Sequence, residues 1–124
     1  MTIEYWEPVQ WDITLPAGAT FTEYITLQDS LGTPIPLSTW TGEMEFRRRY
    51  KDVTPLLTLT DGNGLTLDED GKVYINMTHE QTSLLGSTKE RDVVTALELT
   101  SPTGFRVRVF DGTWTVTPEA TRSE

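Results

Sequence analysis

Residues 92–117 constrain the fold more than any other part of the chain. Val93, Thr95, Leu97 and Leu99 alternate with Val94, Ala96, Glu98 and Thr100. Ser101-Pro102-Thr103-Gly104 then supplies turn chemistry. Beyond it, Phe105, Val107 and Val109 alternate with Arg106 and Arg108, and Trp114 and Val116 resume before Pro118. A period of two places alternate side chains on opposite faces of a strand, so this stretch predicts a hairpin with one apolar face. The second strand outruns the first. A β-bulge at Asp111-Gly112 is expected to bend the excess length toward another neighbour; a second hairpin at that Asp-Gly pair is the alternative.

The same grammar runs through the rest of the chain. Trp11, Ile13 and Leu15 predict a first strand ending at Pro16. Phe21, Ile25 and Leu27 predict a second, stopped by the turn signal Asp29-Ser30-Leu31-Gly32. Pro34 and Pro36 exclude residues 33–40 from a central strand. In residues 43–50, Met44 and Phe46 point inward, with Tyr50 extending that series. Glu45, Arg47 and Arg49 point outward. Arg48 breaks the inward series, as a bulge or as an end-of-strand side chain that snorkels out. Leu57 and Leu59, then Leu65 and Leu67, flank Asp61-Gly62-Asn63-Gly64. Val73, Ile75 and Met77 follow the turn Asp68-Glu69-Asp70-Gly71. Thr78-His79-Glu80-Gln81 matches a capping box, predicting one short helix with Leu84 and Leu85 on the core and Gly86 at its end.

At 124 residues the chain is sized for one domain with one modest core, to which four Trp and four Phe contribute large buried area. The expected organisation is an extended, irregular N-terminal arm over residues 1–10 and a single β-sandwich or barrel over residues 11–124. A net charge of −9 disfavours nucleic acid and anionic membrane surfaces as partners. There is no cysteine, so thiolate metal sites, disulfides and a Cys nucleophile are excluded. Glu4 and Glu7 stand in an N-terminus without a basic or apolar run, so no signal peptide is expected.

Chemistry leaves fewer marks. His79, the single histidine, falls in the first turn of the expected helix with no nucleophile motif around it. Asp61 and Asn63, and Asp68 and Asp70, each begin a calcium-loop spacing that neither completes. Turn chemistry explains them. Carboxylates are plentiful, yet nothing marks the cleft a glycosidase pair needs. Asn76-Met77-Thr78 matches a glycosylation acceptor by chance spacing within a strand. No catalytic residue, cofactor, metal or small-molecule substrate is expected. Trp40 and Trp114 read as core. Tyr5 and Trp6 lie in an arm too short for its own core and read as interface anchors. Arg47, Arg48, Arg49 and Lys51 form the basic cluster of an acidic chain. They either guard an edge strand or contact an acidic partner. The candidate interface is therefore Tyr5, Trp6, Arg47 and Arg49.

The layout resembles small structural proteins of tailed bacteriophages that carry an immunoglobulin-like or related β-sandwich, of the N-terminal type found in upper-baseplate and fibre-attachment proteins. The residues that carry the likeness run from Gly18 to Leu27, with Asp29, Gly32 and Pro34 to Leu37 after them. Met44 to Arg47, Gly71 to Thr78, Gln81-Thr82, Leu84-Leu85 and Gly104 to Thr121 complete it. The resemblance implies an all-β fold, a small immunoglobulin-like sandwich with one short helix. It implies a non-enzymatic virion component of the tail, baseplate, neck or fibre-attachment region, assembled in the host cytoplasm and docked to other virion proteins as a homo-oligomer, a trimer or ring. Because the sequence stops at Glu124, a free-standing adaptor is expected rather than a fibre-bearing one. A capsid decoration protein and a carbohydrate-binding receptor contact are the alternatives.

Overall fold

The hairpin of residues 92–117 is the longest in the computed structural model, which describes residues 2–4 and 8–119. In chain order the strands are β1 (Thr2–Glu4), β2 (Val9–Gln10), β3 (Thr14–Pro16), β4 (Phe21–Gln28), β5 (Thr41–Arg47), β6 (Leu57–Asp61), β7 (Gly64–Leu67) and β8 (Lys72–Met77). The helix α1 (His79–Ser83) follows, then β9 (Arg91–Thr100) and β10 (Arg106–Thr117). The hydrogen-bonded order is β1-β4-β8-β7-β6-β5-β9-β10-β2, with β3 also on β10.

The path turns a corner between β6 and β7. Their register pairs, Thr60↔Gly64 and Asp61↔Leu65, are only a turn's length apart in sequence. Gly62 and Gly64 adopt φ of +78° and +98°, so the chain coils there rather than running on. The corner folds β1-β4-β8-β7 over β6-β5-β9-β10, and Phe21 of the first layer meets Trp114 of the second at 5.4 Å between ring centroids. The fold is all-β, with one short helix. Its ladder is continuous and barrel-like, rather than the two separate sheets a sandwich implies.

Trp114 anchors the core. It is fully buried, with Phe46 at 5.3 Å and Trp11 at 5.6 Å in edge-on contact. Its Nε1 donates to the Trp11 carbonyl at 3.0 Å, satisfying the polar atom that burying an indole introduces. Val93, Leu97, Leu99, Met44, Leu59, Val73 and Ile75 are also in the core, as alternation predicts.

Several features differ from the sequence reading. Residues 1–10, expected as an irregular arm, contain two strands. β1 pairs in parallel with β4 and buries Ile3, while β2 pairs in parallel with β10. Parallel partners need no tight turn between them, so no local signal announces them. The bulge of β10 lies at Val109, where the register shifts between Arg108 and Phe110, and not at Asp111-Gly112. Val109 and Phe110 are both buried. Gly112 instead permits a close approach, since a Cβ there would overlap the Trp11 carbonyl oxygen and lie 2.8 Å from its carbon. The glycine lets the Trp11 backbone lie against β10. Tyr50 is 65% exposed because β5 ends at Arg47, so Arg48 needs no bulge. Phe105 precedes β10 and is exposed.

The capping box forms as read, with Gln81 N donating to Thr78 Oγ1 at 3.1 Å and Thr78 N donating to Gln81 Oε1 at 3.0 Å. Leu85 is buried, whereas Leu84, at the C-cap, is exposed. Gly86 lies beyond the helix end, where a Cβ would come within 2.6 Å of the Ala17 Cβ. Thr82 is buried, and its hydroxyl accepts from Gly18 N at 3.0 Å and reaches the Ala19 carbonyl at 2.9 Å. This pins α1 to the turn before β4.

Candidate functional site

The basic cluster divides into one structural arginine and an exposed turn. On β5, Glu43, Glu45 and Arg47 share the outward face, since Met44 and Phe46 take the inward positions. Arg47 grips Glu45 with both terminal nitrogens, at 3.0 and 3.2 Å, and its Nε donates to the Asp52 carbonyl at 2.8 Å. These bonds use its fork-shaped donor set within the chain and fix where the following turn starts. Arg47, expected at an interface, is thus a positioning residue for residues 48–52.

That turn is closed by Asp52 N donating to the Arg49 carbonyl at 3.1 Å, and Leu56 N donating to the Phe46 carbonyl at 2.6 Å brings the chain back. Arg49 is 67% exposed, with its Nε 3.7 Å from Asp52 Oδ1. At that exposure the pair holds its charges loosely. Arg48, Tyr50 and Lys51 are exposed beside it, and Val53 is 90% exposed. Among the described residues, neither Arg48 nor Lys51 forms an ion pair. Arg91, whose Nε donates to the Leu85 carbonyl at 3.0 Å, has its pKa lowered by burial and then by Arg48. Two guanidinium groups therefore share that neighbourhood.

Tyr50 leans toward β10. Its phenol is raised above its usual 10.0, first by burial, then by Asp111; Arg108 opposes and Asp12 adds. It borders a shallow groove on the outer face of β5, β9 and β10, where Glu45, Arg47, Glu98 and Arg108 also lie. Arg108 sits 3.8 Å from both Glu98 and Asp111. The result is a cationic turn bearing an aromatic and an aliphatic side chain, beside an ion-paired face. Tyr and Arg are the side chains that protein interfaces concentrate.

The structure separates the sequence-read candidates. Tyr5 and Trp6 lie outside the described residues. Arg47 lies on the outward face of β5, turned onto Glu45 and its own loop, and Arg49 faces solvent. Sequence reasoning missed Tyr50 and Val53 as surface groups. The available signal was Asp52-Val53-Thr54-Pro55, a breaker-rich run too close behind Tyr50 for β5 to continue. The acidic turns serve backbone. Asp68 Oδ1 accepts from Asp70 N and Lys72 N at 2.9 and 3.0 Å, and Asp61 Oδ1 accepts from Gly42 N at 2.9 Å. His79 is exposed on α1.

No family model and no curated protein matches the chain. Among solved structures, the N-terminal domain of phage TP901-1 ORF48 aligns over 95% of this chain and 94% of its own, at 11% identity and a TM-score of 0.47. The bradyzoite specific antigen BSR4 from Toxoplasma gondii aligns over 94% of this chain and 45% of its own, at 13% identity and a TM-score of 0.31. At these scores neither likeness carries an argument about function.

Proposed function

We propose that the chain is a structural component of a tailed-phage virion, a non-enzymatic adaptor that docks neighbouring virion proteins. The observation that carries this reading is the exposed turn of residues 48–53. It gathers Arg48, Arg49 and Lys51 with Tyr50 and Val53 in a chain of net charge −9. A basic, aromatic patch on an acidic body complements the acidic surface of a neighbour, including another copy of the same chain, and steers the encounter. Repeated copies in a trimer or ring would add weak contacts of this kind into a stable assembly. The sequence pattern supports the scaffold role. Gly18, Gly32, Gly71 and Gly104, all within the segments that carry the phage resemblance, are turn glycines with positive φ.

Quantitative mass spectrometry of gradient-purified particles tests the proposal. The chain should be present at a fixed copy number per particle. A variant with Arg48→Glu, Arg49→Glu and Lys51→Glu should fold and yet be depleted from particles. Absence of the wild-type chain from particles rejects the virion role. Normal incorporation of the charge-reversed variant rejects the turn as the docking surface.

A further inference from the structure

The two layers present unlike outer faces. On β5, β9 and β10 the outward face carries charges of both signs, with Glu45 paired to Arg47 and Arg108 to Glu98 and Asp111. The outward positions of β4, β7 and β8 carry no carboxylate, in a chain with 19 acidic residues; at the layer's edge, Glu4 of β1 is in register with Gln28. The outward positions present hydroxyls, two amides, two aromatic rings and one ammonium. Tyr24 and Tyr74 are directly opposite in register, with ring centroids 5.7 Å apart and planes tilted by 42°. Tyr24 is 45% exposed, and Lys72 Nζ stands 5.5 Å from its ring centre. Thr22 and Asn76 form the next register pair on the same face, and Thr66 of β7 lies opposite Tyr74 on its other side. Glu23 has the opposite phase on β4, and its carboxylate accepts from Tyr24 N.

We propose that this face binds a carboxylate-bearing glycan. A sugar ring offers an apolar C–H face and a rim of hydroxyls. The tyrosine pair supplies the apolar platform. Thr22, Thr66 and Asn76 supply donors and acceptors for the rim, and the Lys72 ammonium supplies the counter-charge for one carboxylate. Protein hot spots favour Trp, Tyr and Arg in desolvated pockets; these outward positions hold two tyrosines but no Trp, Arg or aliphatic anchor, and the rest is hydroxyl, amide and ammonium. A nucleic acid presents continuous charge to a body of net charge −9, whereas a glycan with isolated carboxylates requires a single cation. Tyrosines that only stabilise the sheet as a cross-strand pair would leave the amides of this face unmoved by saccharide. The proposal is independent of the virion reading and stands or falls separately.

The test is amide-resolved NMR titration of the full chain with 3′-sialyllactose, which carries one carboxylate, and with lactose as the neutral comparator. Sialyllactose should shift amides of β4 and β8. Tyr74→Thr, which removes the ring but keeps high strand propensity, should weaken its binding about tenfold. Lys72→Gln should weaken it about tenfold as well, while leaving any neutral-sugar binding unchanged. Tyr24→Phe retains a stacking ring and should bind within about twofold of wild type. The proposal is overturned by no shifts with sialyllactose or by shifts centred elsewhere. It is equally overturned if Tyr74→Thr or Lys72→Gln, folded by thermal melt, binds like wild type. Concentration-dependent shifts at this face without sugar would instead identify it as a contact between copies.

Discussion

Replacing Gly112 with alanine isolates the contact that joins the N-terminal segment to the end of the chain. The added Cβ would overlap the Trp11 carbonyl oxygen, lie 2.8 Å from its carbon and reach 3.1 Å from Asp12 Oδ1. The two nearest atoms are backbone, so the segment itself must move. Movement breaks the 3.0 Å bond from Trp114 Nε1 to the Trp11 carbonyl, leaving a donor in a fully buried indole without its partner. It also strains the 2.8 Å bonds from Trp11 N to the Asp111 carbonyl and from Thr113 N to Asp12 Oδ1. Overpacking costs about 1–3 kcal/mol, and an orphaned buried donor costs a further ~1–3 kcal/mol. Allowing for overlap between the two, Gly112→Ala should destabilise by about 3 kcal/mol, a fall in Tm of roughly 10 °C. Urea unfolding followed by tryptophan fluorescence gives the first quantity. Hydrogen exchange at the Trp11 and Thr115 amides shows whether β3 has loosened. A variant within ~0.5 kcal/mol of wild type refutes the argument. So does the full loss with both amides protected as before.

Other outcomes follow from single contacts. Thr82→Val keeps the shape of a buried residue but leaves Gly18 N without its acceptor. It should cost about 2 kcal/mol by denaturant unfolding, and Thr82→Ser should recover most of that. Thr78→Ala removes the cap of α1 and should cost about 1 kcal/mol, read in the same assay. Tyr50 holds its proton more tightly folded than unfolded, so its contribution is fully present below the ordinary phenol pKa of 10.0 and is lost as pH rises through the higher folded value. Thermal melts across that alkaline window should show a shallower decline for Tyr50→Phe than for wild type. Equal slopes would mean that the phenol is not held by burial and Asp111.

The parts of the fold legible in the sequence are those with local causes. Alternation marked Val93, Leu97, Leu99, Met44, Phe46, Val73 and Ile75 as core because each strand has one wet and one dry face. The capping box at Thr78 and Gln81 was readable because its two hydrogen bonds span three residues. Gly112 was misread because its reason lies about a hundred positions away in sequence, at Trp11. β1 and β2 went unread for the same reason, and the bulge at Val109 hides inside a run whose neighbours are all apolar or charged in the expected order. At the candidate site, the basic cluster was visible as composition. The division of labour between Arg47 and Arg49 was not, since it depends on where the Asp52 carbonyl comes to rest. The facing of Tyr24 and Tyr74 likewise exists only once β4 and β8 are in register.

Immunogold electron microscopy of purified particles tests the central claim most directly. The adaptor reading expects label at the tail end or neck, on intact particles and in proportion to particle number. Label spread over the head would make the chain a decoration protein instead. Particles without label, from a lysate that contains the chain, would contradict the virion role.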